Sequence, residues 1–279
     1  MKGRPALEIL FENAAGASVA LPPRLGDWYG PLRLPRHRDR PHVVANFVAT
    51  LDGVVAFESP HGGGREISGD NPDDRSVMGL LRAVADAVVV GAGTLRSVPR
   101  HLWVPERADP GLSAEFARLR QDLELPSTPL NVIVSARGQL DVSLPVFRTP
   151  GVPGLVVTTR AGERRLRKAG LPPEVGLAIG TGTGRIRARE VLAGIRRQRP
   201  KARLVLLEGG PHLIADFVAE HALDELFLTI APQISGRATD RVRLGLVEGR
   251  TFGPEDPRWG TLASLRRGGS HLFVRYRLP

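Results

Sequence analysis

The chain has no cysteine among its 279 residues. Disulfides, thiolate metal sites and cysteine nucleophiles are excluded together. So are the zinc nucleobase deaminases, whose metal needs a Pro-Cys-x-x-Cys segment. Aromatic residues make up only 5%, too few for the stacking platforms that hold single-stranded nucleic acid. No apolar run approaches the roughly 20 residues that cross a bilayer as a helix. The opening Met1-Lys2-Gly3-Arg4-Pro5 leads into no apolar signal core, so a cytoplasmic protein away from membranes is expected. His61, His101, His212 and His221 show no metal-ligand spacing, and no metal is expected. There is no Gly-x-Ser-x-Gly elbow, which leaves hydrolase chemistry without a foothold.

What remains is an ordinary globular composition with a basic balance. Hydrophobic residues are 42% of the chain, and the length suffices for one large domain with a sizeable core. The net charge of +10 comes from 39 basic and 29 acidic residues spread along the sequence. We read it as a solvated basic surface rather than a nucleic-acid footprint. Its field would draw phosphorylated ligands.

Residues 1–40 are rich in proline, glycine and arginine and lack periodicity. They read as an irregular arm packed on the domain or on a partner subunit. Regular patterning fills 41–279. Strands are expected at His42–Val48, Asp86–Val90, Leu130–Val134, Leu155–Thr159, Val175–Ile179, Arg203–Leu207 and Glu225–Ile230. Asn71-Pro72-Asp73-Asp74 starts a helix, with a capping asparagine, proline at the first position and two acids at the positive end. Further helices are expected near Ala114–Leu123 and at Gly162–Ala169, Ala188–Arg197 and His212–His221. Residues 58–66, with Gly62-Gly63-Gly64, read as a mobile loop. Strands alternating with helices predict an α/β domain with a mostly parallel sheet covered on both faces. Thr261–Arg266 and His271–Arg277 read as an antiparallel hairpin closing the sheet edge.

Two apolar runs end in glycine turns: Val88-Val89-Val90-Gly91-Ala92-Gly93-Thr94 and Leu204-Val205-Leu206-Leu207-Glu208-Gly209-Gly210-Pro211. Bare backbone at a strand's carboxyl end admits a phosphate to main-chain N–H groups. Taken singly, each is equally a simple strand-to-helix turn. Together they point to a nucleotide with more than one phosphate. Thr94 offers a hydroxyl and Arg96 a charge. Ser135 and Arg137 follow another strand, where they read either as a polar turn or as a seat for the 2′-phosphate of NADP. Asp52 closes a strand in an Asp-Gly turn pair. Arg82, on an amphipathic helix, reads by itself as a solvated residue.

Ala45-Asn46-Phe47-Val48-Ala49-Thr50-Leu51-Asp52-Gly53, then Leu81-Arg82-Ala83 with the Asp86–Thr94 run, then Glu208-Gly209-Gly210-Pro211 with Leu223-Asp224-Glu225-Leu226, resemble the pyrimidine reductase family of riboflavin biosynthesis. The resemblance runs from about Pro41 to Tyr276. It implies a dihydrofolate-reductase-like α/β fold and a homodimer. It also implies hydride transfer from NADPH to a phosphorylated pyrimidine or pterin-like substrate, such as 5-amino-6-(5-phosphoribosylamino)uracil or its diamino relative. By the same resemblance, Gly91, Ala92, Gly93, Thr94 and Arg96 face the cofactor phosphates. Ser135 and Arg137 lie near the 2′-phosphate, and Gly209, Gly210 and Pro211 line the pyrophosphate and nicotinamide path. Arg82 and Glu208 reach substrate ribose and phosphate. Asn46, Thr50 and Asp52 form the floor beside the nicotinamide, with Asp52 or water delivering the proton. Two positions depart from the family pattern: Ser97-Val98-Pro99-Arg100 replaces an Asp-Pro segment, and Glu66 replaces a tryptophan. The 40 residues ahead, lacking cysteine, cannot supply the deaminase often fused to this reductase. Dihydrofolate reduction and non-catalytic NADPH binding stay open as alternatives.

Overall fold

The computed structural model describes residues 5–57, 63–182, 184–238 and 242–279. Residues 58–62, which hold Gly62 and His61 of the expected mobile loop, lie outside that set. Ten strands form one sheet: β1 Glu8–Glu12, β2 His42–Ala49, β3 Ala87–Gly91, β4 Leu130–Val134, β5 Gly154–Thr159, β6 Gly176–Gly180, β7 Leu204–Leu207, β8 Glu225–Ile230, β9 Thr261–Gly268 and β10 His271–Arg277. Their order is β1-β9-β10-β8-β2-β7-β3-β4-β5-β6. From β8 to β6 every neighbouring pair is parallel, while β8, β10, β9 and β1 pair antiparallel.

All eight residues of β2 are buried. A strand covered on both faces reads as an unbroken apolar run, which is why His42–Val48 shows no alternation. Val44 packs into the core on one face, while Val43, Ala45 and Phe47 pack into the core on the other. The main helices are α1 Pro23–Tyr29, α2 Pro72–Val84, α3 Ala92–Ser97, α4 Ser113–Asp122, α5 Arg160–Lys168, α6 Ala188–Gln198 and α7 Pro211–Ala219. Helix α2 starts as its sequence predicts: the Asn71 side chain accepts from the amides of Asp73 and Asp74, and proline follows the cap. Val77, Leu80, Leu81 and Val84 face the first core. Val191, Leu192 and Ile195 of α6 and Leu213, Ile214 and Phe217 of α7 face the second.

The N-terminal forty residues differ from the irregular arm expected. Strand β1 adds to the sheet beyond the C-terminal hairpin, so β1 and not the hairpin is the outermost strand on that side. Leu25, Trp28, Tyr29 and Leu32 are buried in the first core. One buried side chain ties this segment down. Arg266 donates to the carbonyls of Tyr29 and Pro31, to Glu12 and to the Ser264 hydroxyl, at 2.7–2.9 Å. β1 escaped sequence reading because Glu-Ile-Leu-Phe-Glu has no alternation: Ile9, Leu10 and Phe11 all stay substantially exposed.

Candidate active site

Strands β2, β7, β3 and β4 are consecutive and parallel, so their carboxyl ends share one edge of the sheet. Each ends in a segment singled out from sequence. The two glycine turns meet there. The Glu208 amide donates to the Val89 carbonyl at 3.0 Å, and the Gly91 amide donates to the Gly209 carbonyl at 3.2 Å. Gly209 has φ 149° and Gly210 φ 89°, conformations that L side chains rarely adopt. A Cβ on Gly209 would stand 2.6 Å from the Thr94 hydroxyl, and one on Gly210 would stand 3.7 Å from the Gly91 Cα. The turns therefore interlock into one bare-backbone surface. Helix α7 begins on it, with Gly210 as cap residue and Pro211 in the first turn. Gly93 and Arg96 are exposed on the same rim.

β4 continues the edge. Gly91 pairs with Val134, so Ser135 comes immediately after the residue opposite the first glycine turn. Ser135 is buried, its carbonyl accepting from the Thr158 hydroxyl at 2.7 Å and the Gly138 amide at 3.1 Å. Arg137 is exposed, and its carbonyl accepts from Arg165.

Arg82 and Glu208 find each other beneath this surface. Arg82 Nε donates to Glu208 Oε1 at 2.8 Å, Nη2 to Oε2 at 2.6 Å, and Nη1 to the Val104 carbonyl at 3.2 Å. Both side chains are buried. The solvated surface arginine that its helix position suggests is thus a forked ion pair. The pair fixes Glu208 at the base of the second glycine turn.

Comparison with known proteins decides the lineage of this arrangement. A sequence model of the RibD C-terminal domain matches residues 41–258. The chain belongs to the RibD C-terminal domain family. It is 26% identical over 197 residues to the 2,5-diamino-6-ribosylamino-4(3H)-pyrimidinone 5′-phosphate reductase of Archaeoglobus fulgidus, covering 71% of this chain and 83% of that one. A pyrimidine reductase-like protein from Corynebacterium diphtheriae shares the fold at TM-score 0.65 and 22% identity, covering 86% of this chain and 92% of the other. The Thermotoga maritima diaminohydroxyphosphoribosylaminopyrimidine deaminase/5-amino-6-(5-phosphoribosylamino)uracil reductase does so at TM-score 0.63 and 22% identity. That match covers 87% of this chain, which spans 58% of the T. maritima chain. The fold is the α/β architecture, mostly parallel with a C-terminal antiparallel hairpin, that the motifs imply.

Within this RibD-type fold two carboxylates behave oppositely. Asp52 accepts from the Thr50 hydroxyl at 2.7 Å and from the amides of Ser235 and Gly236 at 3.0 and 2.8 Å. The Thr50 hydroxyl and these amides lower its pKa to about 2. Asp52 is thus ionised and engaged in ordering the 235–236 turn. Asp74 was read from sequence only as a first-turn acid. It is buried at the start of α2, and desolvation pushes its pKa up to about 6, against hydrogen bonds to Thr229 and Ser68 and with the charge of Glu208 adding to the rise. Asn46 lies in β2 opposite Phe227 of β8, two residues before Thr229. Its buried side-chain oxygen has no hydrogen-bond partner among the described residues. Asn46, Val77 and Thr229 line one small cavity.

The two departures from the RibD pattern have local roles. Ser97 donates back to the Gly93 carbonyl at the end of α3. Glu66 lies in a short helix, Gly64–Ser68, where the motif's tryptophan is replaced by a charge.

Proposed function

We propose that this chain is an NADPH-dependent reductase acting on a phosphoribosylaminopyrimidine of riboflavin biosynthesis. The observation that carries the reading is the interlocked pair of glycine turns beside a buried Arg82–Glu208 fork. A Cβ on Gly91 or Gly93 would meet nothing closer than 3.9 Å, so the open rim of the interlocked turns supports a dinucleotide cradle. Gly91, Ala92, Gly93 and Thr94, with Gly209, Gly210 and Pro211, would hold the pyrophosphate. The start of α7 would add its positive end. Arg96 would pair with the phosphates, and Ser135 and Arg137 with the 2′-phosphate. When bound, NADPH supplies the hydride.

The protein's own part is orientation and proton supply. Glu208, fixed by Arg82, would accept from substrate hydroxyls, and Thr50 and Asn46 would border the reacting ring. The partnerless Asn46 oxygen favours a donor on the ligand. Asp74, a buried acid with a pKa near neutrality, is the better proton source than Asp52, reaching the substrate directly or through water. Ile9, Leu10 and Phe11, exposed on the outermost strand β1, favour pairing with a second copy as a homodimer. No helix among the described residues is long and apolar enough to cross a membrane.

The test is oxidation of NADPH, with NADH as control, by purified protein offered the ribosylaminopyrimidine phosphate or dihydrofolate. Turnover of the pyrimidine with NADPH is expected. Turnover of dihydrofolate alone would move the substrate assignment. NADPH binding without oxidation of either would favour a non-catalytic binder, which the changes at Glu66 and Pro99 would then explain. Failure to bind NADPH would sink the cradle.

A further inference from the structure

The opposite edge of the sheet carries a second cluster of chemistry-bearing side chains. His37 lies in the segment leading into β2, His42 is the first residue of β2, and Asp224 immediately precedes β8. The parallel pairing of β2 with β8 brings them together. His37 Nε2 stands 3.0 Å from Asp224 Oδ1 and 3.3 Å from His42 Nδ1, and His42 Nδ1 stands 3.5 Å from Asp224 Oδ2. One ligand atom from each residue lies within 4.8 Å of the other two.

Hydrogen bonding decides which way the lone pairs point. Glu225 is paired with Arg275, whose Nε and Nη2 donate to Oε2 at 3.1 and 2.5 Å. A carboxylate held by an arginine accepts only, so His42 Nε2, 3.1 Å away, carries a proton and donates to it. His42 Nδ1 then faces His37 and Asp224. Asp224 Oδ2 already accepts from Arg40 at 2.6 Å and from the Val43 amide at 2.7 Å. Oδ1 accepts from Arg40 at 2.5 Å and keeps a lone pair toward His37. His37 Nε2, His42 Nδ1 and the Asp224 carboxylate thus converge around one point.

A divalent ion satisfies all three. An ion bound tetrahedrally at about 2.0–2.1 Å keeps its ligand atoms about 3.3 Å apart, close to the separations found. The remaining features are those of a supported metal site. A carboxylate, Glu225, orients the ligating imidazole, and an arginine and an amide orient the ligating carboxylate. Half-exposed His37 leaves a path for entry and a solvent molecule as fourth ligand. The two carboxylates are balanced by Arg40 and Arg275, so the site suits a nitrogen-seeking ion better than a hard one such as magnesium.

We propose that His37, His42 and Asp224 bind one zinc-type divalent transition ion, with Glu225 and Arg40 as positioning residues. The site stands at the amino ends of β2 and β8, opposite the glycine turns, and does not depend on the reductase reading. Its role is structural: the ion joins the segment entering β2 to the start of β8.

The test uses the full chain, stripped with chelator and titrated calorimetrically with Zn²⁺. One ion per chain is expected, with a rise in melting temperature on its addition. His37→Ala, at a half-exposed position, should fold normally and weaken binding at least about tenfold, as losing a ligand exceeds the loss of an outer partner. His221→Asn should bind as the wild type does. Co²⁺ in place of Zn²⁺ should give visible bands of four-coordinate geometry that disappear in His37→Ala. Absence of binding in the wild type, or equal binding in His37→Ala, would overturn the site.

Discussion

The turn after β2 and the start of α2 each present an aspartate near the carboxyl ends of β2 and β8. Their environments push them apart. Asp52 sits in a partly exposed turn where a hydroxyl and two amides donate to it, and its pKa falls to about 2. Asp74 is enclosed between α2 and the sheet, where desolvation outweighs the hydroxyls of Ser68 and Thr229, and its pKa rises to about 6. The same side chain is held as an anion in one place and kept protonated to higher pH in the other. Donor count and burial, not proximity to a motif, decide which carboxylate can give up a proton near neutral pH.

The contrast breaks most sharply at Asp74. Asp74→Asn keeps the shape and removes the proton. Turnover should fall by about 10²–10⁴, the usual worth of a positioned acid, with NADPH affinity unchanged. In the wild type, kcat/KM should decline as pH rises through about 6, as Asp74 ionises. The sign for stability is the same: a folded pKa above the unfolded value stabilises most below about pH 4, and that contribution is lost as pH climbs through about 6. A pH–rate profile and melts across that range read both.

Glu208→Gln sharpens the comparison, because Glu208 helps raise Asp74. The limb near pH 6 should move to lower pH. The protein should also lose about 3–5 kcal/mol, the cost of leaving buried Arg82 without its partner. Denaturant unfolding measures the second effect. The smallest change is expected at Asp52→Asn. Its turnover should drop a few-fold at most through a looser 235–236 turn, and the alkaline limb should stay in place. Because the folded pKa of Asp52 is depressed, its contribution to stability is present above about pH 4 and is lost as pH falls toward 2. A displaced alkaline limb in Asp52→Asn would reverse the roles assigned to the two acids.

Sequence alone carried the parallel framework well. Leu130–Val134 and Glu225–Ile230 fold over the same bounds that their apolar runs suggest, and the Asn71 cap forms as its spacing implies. Local signals suffice there, since buried strands and caps are written in consecutive residues. The glycine turns were legible as turns, but their interlocking through Thr94 depends on β7 lying beside β3, which no local pattern states. The same holds for Arg82, whose helix position says nothing of a partner far along the chain. Asp74 reads as a favourable charge at a helix start; only its burial against the sheet, with Glu208 nearby, pushes its pKa up. His37 and His42 escaped as a pair because their third member, Asp224, comes from a distant strand end. The first forty residues look irregular in sequence, since β1 owes its place to Arg266 and β9 rather than to its own periodicity.

That last arrangement has a consequence for how the chain is made. Strand β1 leaves the ribosome long before its pairing partner β9. At about 5–20 residues per second, β1 waits many seconds for its place in the sheet. Throughout that interval Ile9, Leu10 and Phe11 have neither partner strand nor arginine clamp to restrain them. Completion of the sheet therefore waits for β9 and β10. A polypeptide halted before Arg266 would carry β1 sticky and unsheltered, suited to capture by chaperones.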